Sequence, residues 1–394
     1  MFALPGLLAL IPHAAAPVVG FAGLCALIQV LARRSLVVRG KALYFAALLI
    51  GLVVWGGVSA CWSLVPGHSL VMDSRLLGLV VAGLSLAVAS GIIEAPRRLS
   101  GFMLAGTALG LVVAATELET GGGISQFISV RPFAGTKLNQ LAVWSALMAA
   151  PVAALLFIRG QHVLGVAAGL VMAAAVYLLQ DTTAKMAFTV GVPCGVALWF
   201  CRGRVARVIA TGSVAAILLA PLVLPRLGHD WAIFSRVDTF KESAGHRLLI
   251  WAFVGDHIAQ HPLRGWGLDA SRAIPGGKVE IRHGETWLPL HPHNTALQLW
   301  LELGVIGAAI GAAFIGGLWW RLAVAPWPRL YAAAAGASLA VAQTVTIAGW
   351  GLWEEWWLAT LIIALFMQLV MARIALTPNS QTRAADLGAP STSA

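Results

Sequence analysis

Charge is scarce in this 394-residue chain: Asp, Glu, Lys and Arg together make up 11% of it, against 59% hydrophobic residues. Soluble domains carry about 25% charged residues, so the polar surface of a water-soluble protein is missing and a domain count from length does not apply. Cysteine is equally sparse. Cys25, Cys61, Cys194 and Cys201 lie in or beside apolar stretches without zinc-type spacing, which argues for small packing residues and against metal or redox roles. The first basic residue is Arg33, so the opening stretch lacks the charged start of a secretory signal. Internal repeats are absent, as is the inverted pair of broken apolar helices that a secondary transporter often shows.

What the chain has in abundance is apolar runs long enough to span a bilayer, about 20 residues each. They fall near residues 42–60, 74–93, 99–118, 138–158, 163–180, 184–201, 206–225, 294–320, 330–349 and 355–372. Residues 1–31 form a further stretch, broken by Pro12, His13 and Pro17, that crosses once or twice. The expected fold is all-α: a polytopic membrane bundle of eleven or twelve helices over residues 1–377, with a disordered tail at 378–394. A formal charge of +10 could suggest nucleic acid, but the basic residues sit in short segments between apolar runs, the pattern that fixes membrane orientation. Fourteen Lys and Arg fall on one side and four in the short loops of the other, with eight more in a long loop at 226–293. Long loops are exempt from the positive-inside rule, so the fourteen face the cytoplasm and the long loop lies outside.

That loop holds seven of the ten histidines. Within it, Gly245–His261 is spaced as a helix, with Leu248, Leu249, Ala252, Phe253 and Ile258 on one face and Pro262 as its stop. Such a helix suits the membrane interface. Arg247 near its start opposes the helix dipole, which is explained by an anionic partner. The loop ends in His291-Pro292-His293-Asn294. Asn294 is a good N-cap for an apolar helix whose Gly304, Gly307, Ala308 and Gly311 suit close helix packing. A helix N-terminus favours an anion, and His293 beside it suits a base or a donor. Two other readings of the histidines stay open: satisfaction of loop carbonyls, and a His-x-His metal site whose third ligand no spacing fixes.

Other candidate groups come from shorter external segments. Arg131 and Asn139 follow a glycine-rich turn, and Lys185 opens a span just after Asp181, Thr182 and Thr183. A lysine at a helix start again opposes the dipole. Trp350, Trp353, Trp356 and Trp357 flank Glu354 and Glu355; interfacial anchoring is their default reading, and stacking on a sugar the alternative.

At these residues the chain resembles the bacterial O-antigen ligase and polymerase family. His293 and Asn294, nine residues, then Gly304-Val305-Ile306-Gly307 match the family's histidine motif. Arg247, Trp251, Pro262, Gly265 and Gly267 match its loop helix and turn, and Lys185 is a shifted counterpart of its hairpin cation. The resemblance implies a GT-C-like fold and a multi-pass protein of the bacterial inner membrane, active on the periplasmic face. It implies inverting transfer, without metal or cofactor, of O-antigen glycan from undecaprenyl diphosphate to a hydroxyl of lipid A–core. His293 would be the base, with Arg247 and Lys185 as diphosphate contacts. His291, Asn294, Arg264, Asn139 and Arg131 are the expected substrate-binding residues. Membrane lipids are expected partners and nucleic acid is not. An O-antigen polymerase of the same superfamily and a lipid-linked glycan transporter remain the alternatives. A metal-dependent transferase would ordinarily carry Asp-x-Asp, which is absent.

Overall fold

In the computed structural model, residues 4–34, 40–128, 134–282 and 284–376 are described; Arg131, His283 and the tail at 378–394 lie outside them. The chain is an all-α polytopic membrane protein. Its helices are α1 (Leu4–Leu10), α2 (Ala15–Ala32), α3 (Lys41–Ser59), α4 (Pro66–Ser90), α5 (Pro96–Glu119), α6 (Ser125–Ile128), α7 (Asn139–Ile158), α8 (His162–Leu178), α9 (Thr182–His229), α10 (Trp231–Phe240), α11 (Glu242–Gln260), α12 (Thr295–Val324), α13 (Arg329–Ala348) and α14 (Glu355–Leu376). One short antiparallel hairpin, β1 (Glu280–Arg282) with β2 (Glu285–Thr286), lies in the long loop.

Nine segments among the described residues are long and apolar enough to cross a membrane. α9 counts twice. Its 48 residues would extend about 72 Å as a straight helix, far beyond a hydrocarbon core of about 30 Å, and its backbone leaves helical geometry at Cys201. Before that point Gly191 and Gly195 face Val341 and Ala337 of α13, descending along it. After it, Ser213 meets Gln343, so the chain has turned back. With α8 added, a helix of 17 residues, the crossings number eleven. α1 is only seven residues, about 10 Å, so Pro12–Ala32 supplies the single crossing of the described N-terminal stretch.

Arginines tie off one end of the bundle. Arg33 pairs with Glu94 at 2.8 Å, Arg373 donates to the Ser90 and Ile93 carbonyls, and Arg202 donates to the Trp327 carbonyl at 2.6 Å. The long loop covers the other end. There α11 runs three residues longer at its start than the sequence predicts, and it is not one-faced. Leu248, Ile250, Ala252, Val254 and Ile258 are all buried, because α9, α10 and α12 clamp the helix from several sides.

α12 departs most from expectation. Gly304 has φ +65° and ψ −162°, which breaks the helix into 295–303 and 305–324. The break is sharp: Leu299 packs onto Gly311, a residue about 18 Å further along a straight helix. The small residues expected to receive another helix therefore receive the chain's own preceding segment.

Candidate functional site

The turn after α11 fills the break in α12. Val305 N–H donates to the Pro262 carbonyl at 2.9 Å, and Trp266 and Gly267 N–H donate to the Leu301 and Glu302 carbonyls at 2.9 and 2.8 Å. The backbones approach so closely that a Cβ on Gly304 would collide with the Leu263 carbonyl, and one on Gly265 with that of Glu302. Both glycines also hold positive φ, +65° and +68°, where other residues pay a steric cost. This is the physical reason for glycine at each place.

Glu302 secures the same junction and was not among the sequence candidates. Its side chain is 0% exposed and accepts from Asp269 N–H, Ser271 Oγ, Gln298 Nε2 and Trp353 Nε1. A lone acid in an apolar run shows little of this in sequence, and these donors come from three stretches of chain: the turn at 269–271, Gln298 one helical turn away, and Trp353.

The folded-back segment 295–303 carries the histidines at its start. Asn294 caps it, its Oδ1 accepting from Leu297 N–H at 3.1 Å, which occupies Asn294 structurally. His293 stands at φ +50°, a left-handed conformation uncommon for a side chain of its size. That turn brings the two imidazoles together, centroids 4.3 Å apart and planes tilted by 55°. His293 N–H donates to Nδ1 of His291 at 3.1 Å, so neutral His291 carries its proton on Nε2. His293 Nδ1 faces the Gly349 carbonyl at 3.3 Å. A carbonyl only accepts, so Nδ1 donates and the lone pair stays on Nε2. Trp251 of α11 steadies the segment by donating to the Pro292 carbonyl at 3.1 Å.

Arg247 joins the pair from α11. Burial lowers its pKa, and its guanidinium forms no hydrogen bond or ion pair among the described residues. Burying an unpaired charge is costly, so this is the least satisfied charge at the site. Its field, together with burial, lowers the pKa of both histidines. For His293 burial is the main cause, Arg247 and His246 add to it, and the Gly349 carbonyl opposes. For His291 burial leads, followed by the charges of His293, Arg272 and Arg247, and the pKa falls to about 3. His246 itself is tied to the β-hairpin, through the Thr286 carbonyl at 2.8 Å.

The other candidates are less closely gathered. Thr183 adjoins Gly349, which brings the hairpin of Lys185 to the histidine loop. The Lys185 ammonium has no hydrogen bond or ion pair among the described residues. Asn139 opens α7 with a buried, unpartnered Oδ1. Arg264 is exposed on the turn and lies over Trp62, 5.8 Å from its centroid, a cation–π contact that accounts for its position without a substrate. Among the described residues no three His, Cys, Asp or Glu side chains are grouped to hold a metal ion. A cavity of about 760 Å³ between α3, α9 and α12 is mostly apolar, reaches Lys41 and Arg321, and contains none of the histidines.

A protein of Rickettsia conorii provisionally named a polysaccharide ligase is 28% identical over 171 residues, 42% of this chain and 41% of its own. One of Rickettsia bellii with the same name is 28% identical over 204 residues, half of each chain. One of Rickettsia felis reaches 37% identity over 105 residues, 26% of each. The chain thus spans half or less of the length of these relatives. No solved structure matches. The family described as O-Antigen ligase matches residues 167–312, which run from α8 through the histidine loop to the far side of the break at Gly304. Over that region the chain is similar to the family described as O-Antigen ligase.

Proposed function

We propose that this protein is an O-antigen ligase, moving a glycan from undecaprenyl diphosphate to a sugar hydroxyl of lipid A–core at the periplasmic face of the bacterial inner membrane. The observation that carries this reading is the unpaired, half-buried Arg247 beside an imidazole with a free Nε2. In the proposed step, His293 Nε2 takes the proton of the acceptor hydroxyl as its oxygen attacks the anomeric carbon. The bond from that carbon to the diphosphate oxygen breaks, and its electron pair leaves with the carrier diphosphate. Arg247 and Lys185 meet the developing charge, arginine being suited to paired contacts with phosphate oxygens. Attack opposite the leaving group inverts the anomeric centre. The membrane orientation follows from the excess of arginines at the end opposite the loop.

The test is transfer by purified protein in detergent, with carrier-linked O-antigen, lipid A–core and EDTA. A laddered product is expected from the wild type and none from His293→Ala or Arg247→Ala at equal expression; a positioned base alone contributes about 10²- to 10⁴-fold. Wild-type transfer by either variant would overturn the assigned roles. Lengthening of the carrier-linked glycan without use of lipid A–core would turn the reading to a polymerase.

A further inference from the structure

A second cavity, of about 350 Å³, lies on the other side of His291, at the lower end of the ~300–1,000 Å³ usual for small-ligand sites. The turn at 269–272, the start of α4 and the segment 351–356 enclose it; neither Arg247 nor His293 lines it. Its lining carries Arg75, Arg272 and His13 beside Asp269, Glu354 and Glu355, and the charges of Arg272 and His13 act on Glu354. Arg75 is paired with Glu355 at 2.7 Å, and Asp269 with His68 at 2.8 Å. The Glu354 carboxylate has no hydrogen bond or ion pair among the described residues, although it is half-buried.

His291 lines the same cavity. It is 7% exposed, its Nδ1 is taken by the His293 N–H, and its Nε2–H finds no acceptor among the described residues. Beside the exposed Arg272, the cavity therefore offers a donor on buried His291 and an acceptor on Glu354, both unused among the described residues. Trp353 and Trp356 complete the lining. At 4% and 3% exposed, they are packed within the protein, which leaves them unsuited to anchoring at the lipid interface. Glu354, Glu355 and Asp269 offset Arg75, Arg272 and His13 in the lining, so the cavity has no excess of positive charge to hold a diphosphate. A sugar fits the same groups, since each hydroxyl both donates and accepts.

We propose that this cavity is the subsite for the acceptor saccharide, held between His291 Nε2–H and the Glu354 carboxylate, so that one of its hydroxyls is presented to His293. The inference rests on the transferase reading above. It divides the site into a cationic half for the leaving diphosphate and a carboxylate half for the incoming sugar, with the two histidines as the wall between them.

Two measurements on the full-length protein test it, using Glu354→Ala and the near-isosteric Glu354→Gln. In transfer assays, Glu354→Ala should raise the KM for lipid A–core about tenfold or more, the loss of a hydrogen bond to a charged group. The KM for the carrier-linked donor should stay unchanged, and Glu354→Gln, which keeps a carbonyl acceptor, should fall between. In calorimetric titration without donor, core oligosaccharide should bind the wild type and fail to bind Glu354→Ala. An unchanged acceptor KM, a raised donor KM instead, or wild-type protein that does not bind the oligosaccharide would each overturn the proposal. If the wild type binds the oligosaccharide through Glu354 but transfers nothing, the ligase reading fails and the saccharide site stands.

Discussion

His291 and His293 hold their protons on opposite ring nitrogens. The His293 N–H fills Nδ1 of His291 at 3.1 Å, and the Gly349 carbonyl takes up Nδ1 of His293 at 3.3 Å. Backbone groups fix both tautomers, so a free Nε2–H and a free Nε2 lone pair stand on rings 4.3 Å apart. Carboxylates commonly orient a catalytic histidine; here two peptide groups do so, without adding negative charge beside a departing diphosphate.

The protonation of His293 is accessible through the pH profile of kcat/KM. Its pKa is lowered by burial, with help from Arg247 and His246, and a base acts only when neutral. Activity should therefore hold its plateau below the ordinary imidazole value and fall only at more acid pH. Arg247→Gln removes one of the charges that disfavour the imidazolium. The residual activity of that variant should lose its acid limb at higher pH than the wild type, and an unmoved limb would show that the two groups are not coupled.

His291 makes stability depend on pH. The folded chain keeps it neutral down to about 3, against an ordinary value of 6.5, while the unfolded chain takes up the proton near the latter. Its neutral form therefore contributes full stability above pH 6.5, and that contribution drains away as pH falls toward about 3. His291→Gln keeps an acceptor for the His293 N–H but has nothing to protonate. Its thermal midpoint in detergent should decline less steeply with acid than that of the wild type, and parallel declines would contradict the assignment.

Gly304→Ala should be damaging out of proportion to one methyl group. The residue would sit at positive φ and collide with the Leu263 carbonyl, a cost of about 2 kcal/mol or more. The thermal midpoint and transfer should fall together, because the segment bearing His293 loses its fixed base. Gly212→Ala, on α9 with nothing within 4 Å of a new Cβ, is the control and should be neutral or slightly stabilising. Equal behaviour of the two would refute the packing described.

Arg247 and His293 were singled out in the sequence by the helix dipole and by the spacing from Gly304, and the fold brings them close enough for the arginine's charge to act on the imidazole. The spans were legible because each is a continuous apolar run. The break at Gly304 was not, since a glycine in an apolar run reads equally as close helix packing, and only the arrival of the turn at Leu263 decides between them. Glu302 was hidden because most of its donors are remote in sequence. The contact of Arg264 with Trp62 was hidden too, since nothing in a sequence reveals that Trp62 lies beneath it. Of the tryptophans near α14, Trp353, Trp356 and Trp357 were assigned to the membrane surface by default, while the structure buries all three.

The break in α12 turns the interval between His293 and Gly304 into a ruler. One end of the segment 295–303 is pinned where the turn at Pro262 enters, and the other carries the imidazole, so the number of residues between them sets both the height and the bearing of the ring. One residue inserted there would lift His293 by about 1.5 Å and swing it by about 100°, away from Gly349, His291 and Arg247 together. A point substitution within the segment leaves the measure intact. What the spacing of the motif records is thus a length, independent of which apolar residues fill it.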